Sequence, residues 1–444
     1  MSGRTGAKKD RSSPGEQADH RLPLARDCCR RVVSLLVKTA LMVACLCLAG
    51  MVFPSAHAQQ SDAARKQFMD YKAKAEQGDP KAQFNLGVCY DRGHGVVKDA
   101  AIAVQWFRKA AEQNHISAQL NLGLSFYGGE GVPKDFKEAA NWFRKAAEQN
   151  SALAQLNLGF CYYRGQGVGK DSKEAVRWWR KAADQNIAAA QSNLGNSYRD
   201  GLGVAKDLAE AVKWFRKAAE QNDAGAQYSL ASCYGQGQGV EKDDKEAVKW
   251  FRRAAEQHDA VAQYNLGVCY DKGLGVRKDV ATAVAWFRQA AEQNHASAQL
   301  NLGLCYYGGE GVAKDFSAAA GWFRKAAQQN DAEAQFNLGA CYQNGEGVAK
   351  DHAEAAKWFR KAAEQDYADA QLSLSGCYYL GQGVAKDQAE AYAWMSLAAG
   401  TVKEAAAKRD ALAKSLSPEQ IYDGSKRMRE LRAQITARLK SGGK

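Results

Sequence analysis

From Ala82 onward the order of apolar and polar positions restarts every 36 residues. The pair Ala-Gln recurs with its alanine at 82, 118, 154, 190, 226, 262, 298, 334 and 370, nine times without an insertion. Self-similarity at such a period marks a chain of stacked units and takes precedence over any local reading. Within each unit Ala82, Leu86 and Tyr90 stand four apart, one stripe of a helix beginning near Ala82. A second apolar face follows at three- and four-residue spacing: Ala103, Trp106, Phe107, Ala110 and Ala111. The pattern predicts an all-α fold, an α/α superhelical solenoid of about nine helix-turn-helix repeats. A larger echo overlies it, since residues 82–150 closely match residues 262–330, as duplication of a five-repeat block would produce.

Between the two helices lies Gly-x-Gly-Val-x-Lys-Asp, from Gly93–Asp99 to Gly381–Asp387. Its first glycine is suited to the left-handed turn that ends a helix. Val96 and its counterparts would fill the gap between the helices, and Asp99 and its counterparts would cap the second one. Phosphate loops follow a strand and offer a bare helix N-terminus; here a helix precedes and an aspartate occupies the cap, so the motif reads as a joint. Gly87 and its equivalents, replaced by Ala231 and Ser375 in two units, lie inside the first helix, where a small residue admits a close neighbour. Tryptophan holds one place in all nine units, from Trp106 to Trp394, and is expected in the core, with the Arg-Lys pairs such as Arg108-Lys109 solvated. Units close on Glu-Gln-Asn, as at Glu112–Asn114, and asparagine tolerates a left-handed turn.

Composition sharpens this picture in one respect. Forty-one glycines beside six prolines fit many helices ended by glycine turns. The net charge of +12 is dilute: residues 1–58 hold nine basic and four acidic side chains, and the remaining 386 residues hold 52 and 45. That balance gives no basis for nucleic-acid binding, which needs a concentrated basic face. The N-terminus reads as an export signal: basic residues ending at Arg30-Arg31, an apolar run from Val32 to Phe53, then Ala56-His57-Ala58 with cleavage after Ala58. An uncleaved anchor and lipid modification of Cys45 are the alternatives. The expected organisation is therefore a signal peptide over residues 1–58, an N-terminal capping half-repeat over 59–81, repeats over 82–405 and capping helices over 406–444. A periplasmic or secreted location follows, with membrane contact through the signal segment if it is retained.

The run A-Q-F-N-L-G-V-C-Y-D-R-G-H-G-V-V-K-D, followed by A-V-Q-W-F-R-K-A-A-E-Q-N, both within residues 82–114, resembles the Sel-one-like repeat family, a relative of tetratricopeptide repeats with a longer interhelical loop. The resemblance extends to about residue 400 and includes a half repeat before it, around Phe68, Tyr71 and Ala75. It implies a superhelix whose first helices line a concave surface, and a role as a scaffold binding a protein or peptide. Some cysteine-rich members are linked to penicillin-type compounds, so a cell-wall-associated hydrolase or β-lactam-binding protein is the alternative.

Chemistry beyond binding finds few residues to carry it. Seven cysteines after the expected cut (Cys89, Cys161, Cys233, Cys269, Cys305, Cys341, Cys377) precede the repeat tyrosine, one per unit. Equivalent positions in adjacent units should stand about 10 Å apart from helix spacings, beyond the roughly 7 Å a disulfide spans, so they read as small buried packing residues. The histidines show no metal-ligand spacing, and Ser-x-x-Lys occurs only at Ser441–Lys444. No catalytic residue, cofactor or metal is assigned, and a monomer is expected.

If the first helices line a groove, a near-constant amide faces it: Asn85, Asn121, Asn157, Asn193, Asn265, Asn301 and Asn337. Such an amide can donate to and accept from a bound peptide backbone, or bond the adjacent repeat and hold the stack; the sequence leaves both open. Only Lys81 is basic one turn earlier, which speaks against a carboxylate clamp. Variable tyrosines near the end of the first helix, Tyr127, Tyr163, Tyr307 and Tyr379, are candidate exposed anchors. The segment from Val402 to Lys440 reads as two helices parted at Ser417-Pro418, with Ile421, Met428, Leu431, Ile435 and Leu439 covering the last repeat; a membrane or dimer contact is the alternative. N-terminal sequencing should show the processed chain beginning at Gln59, and the same measurement on the precursor tests whether translation starts at Met1.

Overall fold

The structure, a computed structural model, describes residues 55–441, with side chains from residue 62. The basic leader and most of the apolar run lie outside the described residues; the last residues before the expected cut fall within the bounds of the first helix, α1 (Ser55–Glu76). Nine helix pairs follow, from α2 (Pro80–Arg92) with α3 (Ala100–Glu112) to α18 (Ala368–Leu380) with α19 (Gln388–Ala398). Two further helices, α20 (Lys403–Ala413) and α21 (Pro418–Lys440), complete the chain, and the described residues contain no strand. Each helix packs chiefly on its neighbours in sequence, and α21 returns to lie along α19. The expected all-α superhelical repeat fold is what forms.

The first helices begin two residues before the Ala-Gln pair. In seven of the nine, the side chain at the preceding position accepts from the backbone N–H of the pair's alanine: Asp79, His115, Ser151, Asp223, Asp259, His295 and Asp331. A cap of this kind stabilises a helix by about 1 kcal/mol. Ile187 and Tyr367 supply no such bond. The second helices are capped as expected, with Asp99 accepting from Ile102 N–H at 2.9 Å. At the unit's end the backbone turns left-handed through Asn114 (φ 60°) and its equivalents, with His258 and Asp366 in two places.

Glycine serves three separate ends in seven of the nine units. Gly93, at φ 73°, terminates the first helix. Two residues later the reason is contact with the previous unit: a Cβ on Gly167 would stand 1.8 Å from the carbonyl oxygen of Phe136. Gly95 meets Ala64 of α1 in the same way, so α1 takes the place of a second helix before the first full pair. The third glycine, inside the first helix, lies under an aromatic ring of its own hairpin; a Cβ on Gly123 would stand 2.6 Å from Phe143.

That ring is the residue after the repeat tryptophan. Phe143 and Phe215 have no solvent exposure, and with Leu122, Leu158 and Leu194 they form the centre of the stack. The tryptophans sit one step further out: Trp142, Trp178, Trp214, Trp250 and Trp394 are buried, whereas Trp106, Trp286, Trp322 and Trp358 are half-buried. The lysines of the Arg-Lys pairs are exposed, as expected, and their ammonium groups also lie over this outer layer. Lys145 Nζ stands 3.9 Å from the centre of the Trp142 ring, and Lys109 and Lys361 repeat the contact at 4.0 Å. The paired arginine reaches forward, Arg288 donating to Tyr306 OH at 2.8 Å and Arg324 to Tyr342 OH at 3.1 Å.

The cysteines are free thiols packed in this core, with Cys305 half-buried and the other six buried. Burial pushes the Cys161 thiol up to about 12 and the Cys233 thiol up to about 11. At the C-terminal end Ser417 and Gln420 form a reciprocal cap on α21, and Leu431 and Ile435 are buried against the last repeat. Leu439, expected to help cover that repeat, is 55% exposed in the last turn of α21.

Two outcomes follow. Gly167→Ala should cost about 3 kcal/mol or more, since it combines a positive φ with a backbone collision, whereas Gly169→Ala, which meets nothing within 4 Å, should be near neutral; chemical denaturation midpoints compare them. Raising a thiol from 9.0 to about 12 cuts its thiolate by about a thousandfold near pH 8, so iodoacetamide should label Cys161 slowly in the native protein and readily in urea.

Candidate functional site

The repeat's most conspicuous polar group lies inside it. The glutamine of each Ala-Gln pair is buried: Gln83, Gln119, Gln155, Gln191, Gln227, Gln263, Gln299, Gln335 and Gln371. Gln155 Nε2 donates to the carbonyl of Ala147 at 3.1 Å and to Asn150 Oδ1 at 3.2 Å, both at the end of the preceding second helix. Its Oε1 accepts from Gln185 Nε2 at 2.8 Å, at the end of its own hairpin. Gln185 also donates back to Asn150 Oδ1 at 3.1 Å. The pattern recurs along the stack, as at Gln119–Gln149, Gln191–Gln221 and Gln299–Gln329. These glutamines, and not the asparagines, are the interrepeat fastener. Their invariance beside an alanine was the available signal.

The candidate asparagines occupy one register position on successive first helices. Asn85, Asn121, Asn157, Asn193, Asn265, Asn301 and Asn337 are all half-buried. Asn157, Asn265 and Asn337 donate Nδ2 to the carbonyl four residues earlier in their own helix, at 2.7, 2.8 and 2.9 Å. None of these bonds reaches an adjacent repeat, and each leaves Oδ1 without a protein partner among the described residues.

Positions one turn before and after the asparagine share its face, because residues three, four and seven apart align on a helix. Leu153 and Val261 stand four residues before it, Leu304 three after Asn301, and Leu380 seven after Ser373. All four are exposed, Leu380 by 60%. The stripe thus alternates amides with uncovered apolar side chains over several repeats, while repeats four and five present the smaller Ala189, Asn196, Gly225 and Ser232 at the same register.

The tyrosines divide. Tyr379 is exposed, as expected. Tyr127, Tyr163 and Tyr307 are half-buried because their rings lean on the hairpin aromatics, Tyr163 with its centre 5.5 Å from that of Trp179. Tyr127 OH donates to Gln166 Oε1 at 2.8 Å and Tyr307 OH to Glu346 Oε2 at 2.9 Å, each in the glycine loop of the following repeat. Burial, and then the bond to Glu346, push the Tyr307 hydroxyl up to about 12. Tyr127 and Tyr307 act as struts between repeats, and Tyr163 packs within its own hairpin.

Among the described residues no group of three or more His, Cys, Asp or Glu side chains could hold a metal ion, and no helix is long and apolar enough to cross a membrane. His115 and His295 are spent as caps, each accepting on Nδ1 from the backbone at 3.2 Å. Part of the Ser441–Lys444 signature lies outside the described residues.

Comparison with known proteins agrees with this geometry. Nine consecutive segments, from residues 80–115 to 368–399, match the family model described as Sel1 repeat. No curated protein matches the chain. Among solved structures it is similar to c5321, a protective antigen present in uropathogenic Escherichia coli strains displaying an SLR fold. The two are 32% identical over 84% of this chain and 97% of that one, with a TM-score of 0.50. It is also similar to a Sel1 repeat protein from Oxalobacter formigenes, 33% identical over 75% of this chain and 98% of the other, with a TM-score of 0.57. Sel1 repeat proteins are typically scaffolds for protein–protein interaction and not enzymes. With matched repeats running unbroken over most of its length, this chain belongs to the Sel1 repeat family.

Proposed function

We propose that this protein is an exported, non-catalytic scaffold that binds a protein or extended peptide along the first helices of its repeats. One observation carries the reading: Leu153, Val261, Leu304 and Leu380 are exposed on the same helical stripe as the asparagine ladder. Side chains that the fold leaves uncovered in register, beside amides with acceptor capacity to spare, suit a contact surface of apolar anchors and backbone hydrogen bonds. The invariant residues are consumed by packing, so recognition falls to positions that differ between repeats. Export rests on the N-terminal basic and apolar segments with Ala56-His57-Ala58. The buried thiols, pushed well above their ordinary range, argue against nucleophilic use.

Crosslinking in the native cell followed by mass spectrometry should place partner crosslinks on the first helices. Exchanging Leu153, Val261 and Leu304 together for aspartate should lower partner capture by at least about tenfold, since each anchor contributes on the order of 1 kcal/mol, with the melting temperature little changed. Capture that survives this exchange, or nitrocefin turnover by the purified chain, would overturn the proposal.

A further inference from the structure

The charge of this protein is unevenly placed. Residues 59–423 carry 45 basic and 44 acidic side chains, while residues 424–444 carry seven basic and one acidic. That excess is displayed on α21. Its inner face, formed by Gly424, Met428, Leu431 and Ile435, covers the last repeat. Arg427 and Arg438 lie toward this side and are neutralised, Arg427 by Glu390 at 2.9 Å and Arg438 by Glu364 at 2.7 Å.

The opposite face has a different character. At 100° per residue, Tyr422, Lys426, Arg429, Ala433, Ala437 and Lys440 fall within about 50° of the direction opposite the buried side, with Thr436 and Arg432 toward one flank. Lys426, Arg429, Arg432 and Lys440 are exposed and make no ion pair among the described residues. The residues between them are small, and Arg429, Arg432, Ala433, Thr436, Ala437 and Lys440 border one shallow, open depression. Tyr422, 64% exposed, adds apolar surface at the N-terminal end of the stripe. From Tyr422 to Lys440 the line is about 27 Å long.

We infer that the outer face of α21 docks the C-terminal end of the solenoid onto an anionic phospholipid bilayer. The cations are spread along the outer side of one helix and do not converge on a point, so they match a plane of charge better than one anion. A tyrosine at one end of the line suits the headgroup boundary, where such side chains settle. This contact is separate from the partner-binding stripe and from any N-terminal anchor.

Cosedimentation of the full chain with vesicles tests it, using phosphatidylcholine alone or with phosphatidylglycerol. Uptake by the zwitterionic vesicles reports any contribution of the apolar run from Val32 to Phe53. The anionic vesicles should bind more tightly, and the difference should shrink at high salt. Replacing Lys426, Arg429, Arg432 and Lys440 together by glutamine should weaken the anionic component by roughly a hundredfold. The same change at Lys66, Lys137, Lys173 and Lys245, exposed lysines elsewhere on the stack, should have little effect. Equal binding to both vesicle types, or equal loss in the two variants, would overturn the inference; unchanged circular dichroism excludes unfolding as the cause of a loss.

Discussion

The buried glutamine of the Ala-Gln pair sets the terms for everything else in the stack. It is the one polar side chain buried in every unit, and in all but the last both ends of its amide are committed: nitrogen to the previous repeat, oxygen to its own. A buried amide left unpaired would cost about 1–3 kcal/mol. The bond therefore fixes where each hairpin ends relative to the next hairpin's start. A single inserted residue between Ala147 and Gln155, or between Gln155 and Gln185, would move a partner away. This accounts for nine repeats in succession without a change of length.

Around that fastener the remaining constant residues divide the packing. The glycine within the first helix makes room for the ring of Phe143 or its equivalent, and the loop glycine makes room for a carbonyl of the preceding repeat. Tryptophan closes the outer side beneath a lysine. None of these side chains is left over for recognition. What varies lies on the outward stripe of the first helices and on the terminal helices, and the functional proposals rest there.

Much of this was legible in the sequence because periodicity reports packing directly. The helix pairs, the aspartate caps, the left-handed asparagines and the cap at Ser417 all follow from spacing and residue type. Side-chain direction was harder to read. A tyrosine at the end of a helix looks exposed until the next repeat's loop is present to receive the hydroxyls of Tyr127 and Tyr307. The lysine over most of the tryptophans is exposed, and its contact with a ring three residues away on the same helix depends on rotamer. Linked substitutions carried more information than single positions. Where the glycine becomes Ser375, the aromatic above it becomes Met395. Where the left-handed residue is His258, without an amide oxygen, Gln263 donates instead to Gln289, which stands where seven other repeats have lysine or arginine.

Because every seam along the stack uses the same glutamine bond, any hairpin can follow any other. A unit copied in frame brings both halves of the joint with it, so the solenoid can lengthen by whole units and leave existing seams intact. The 180-residue echo between the two halves of the repeat array is the mark such growth would leave. Partner-facing residues within a copied block are then free to diverge while the framework beneath them stays constant, as Lys81 and its counterpart Val261 have done.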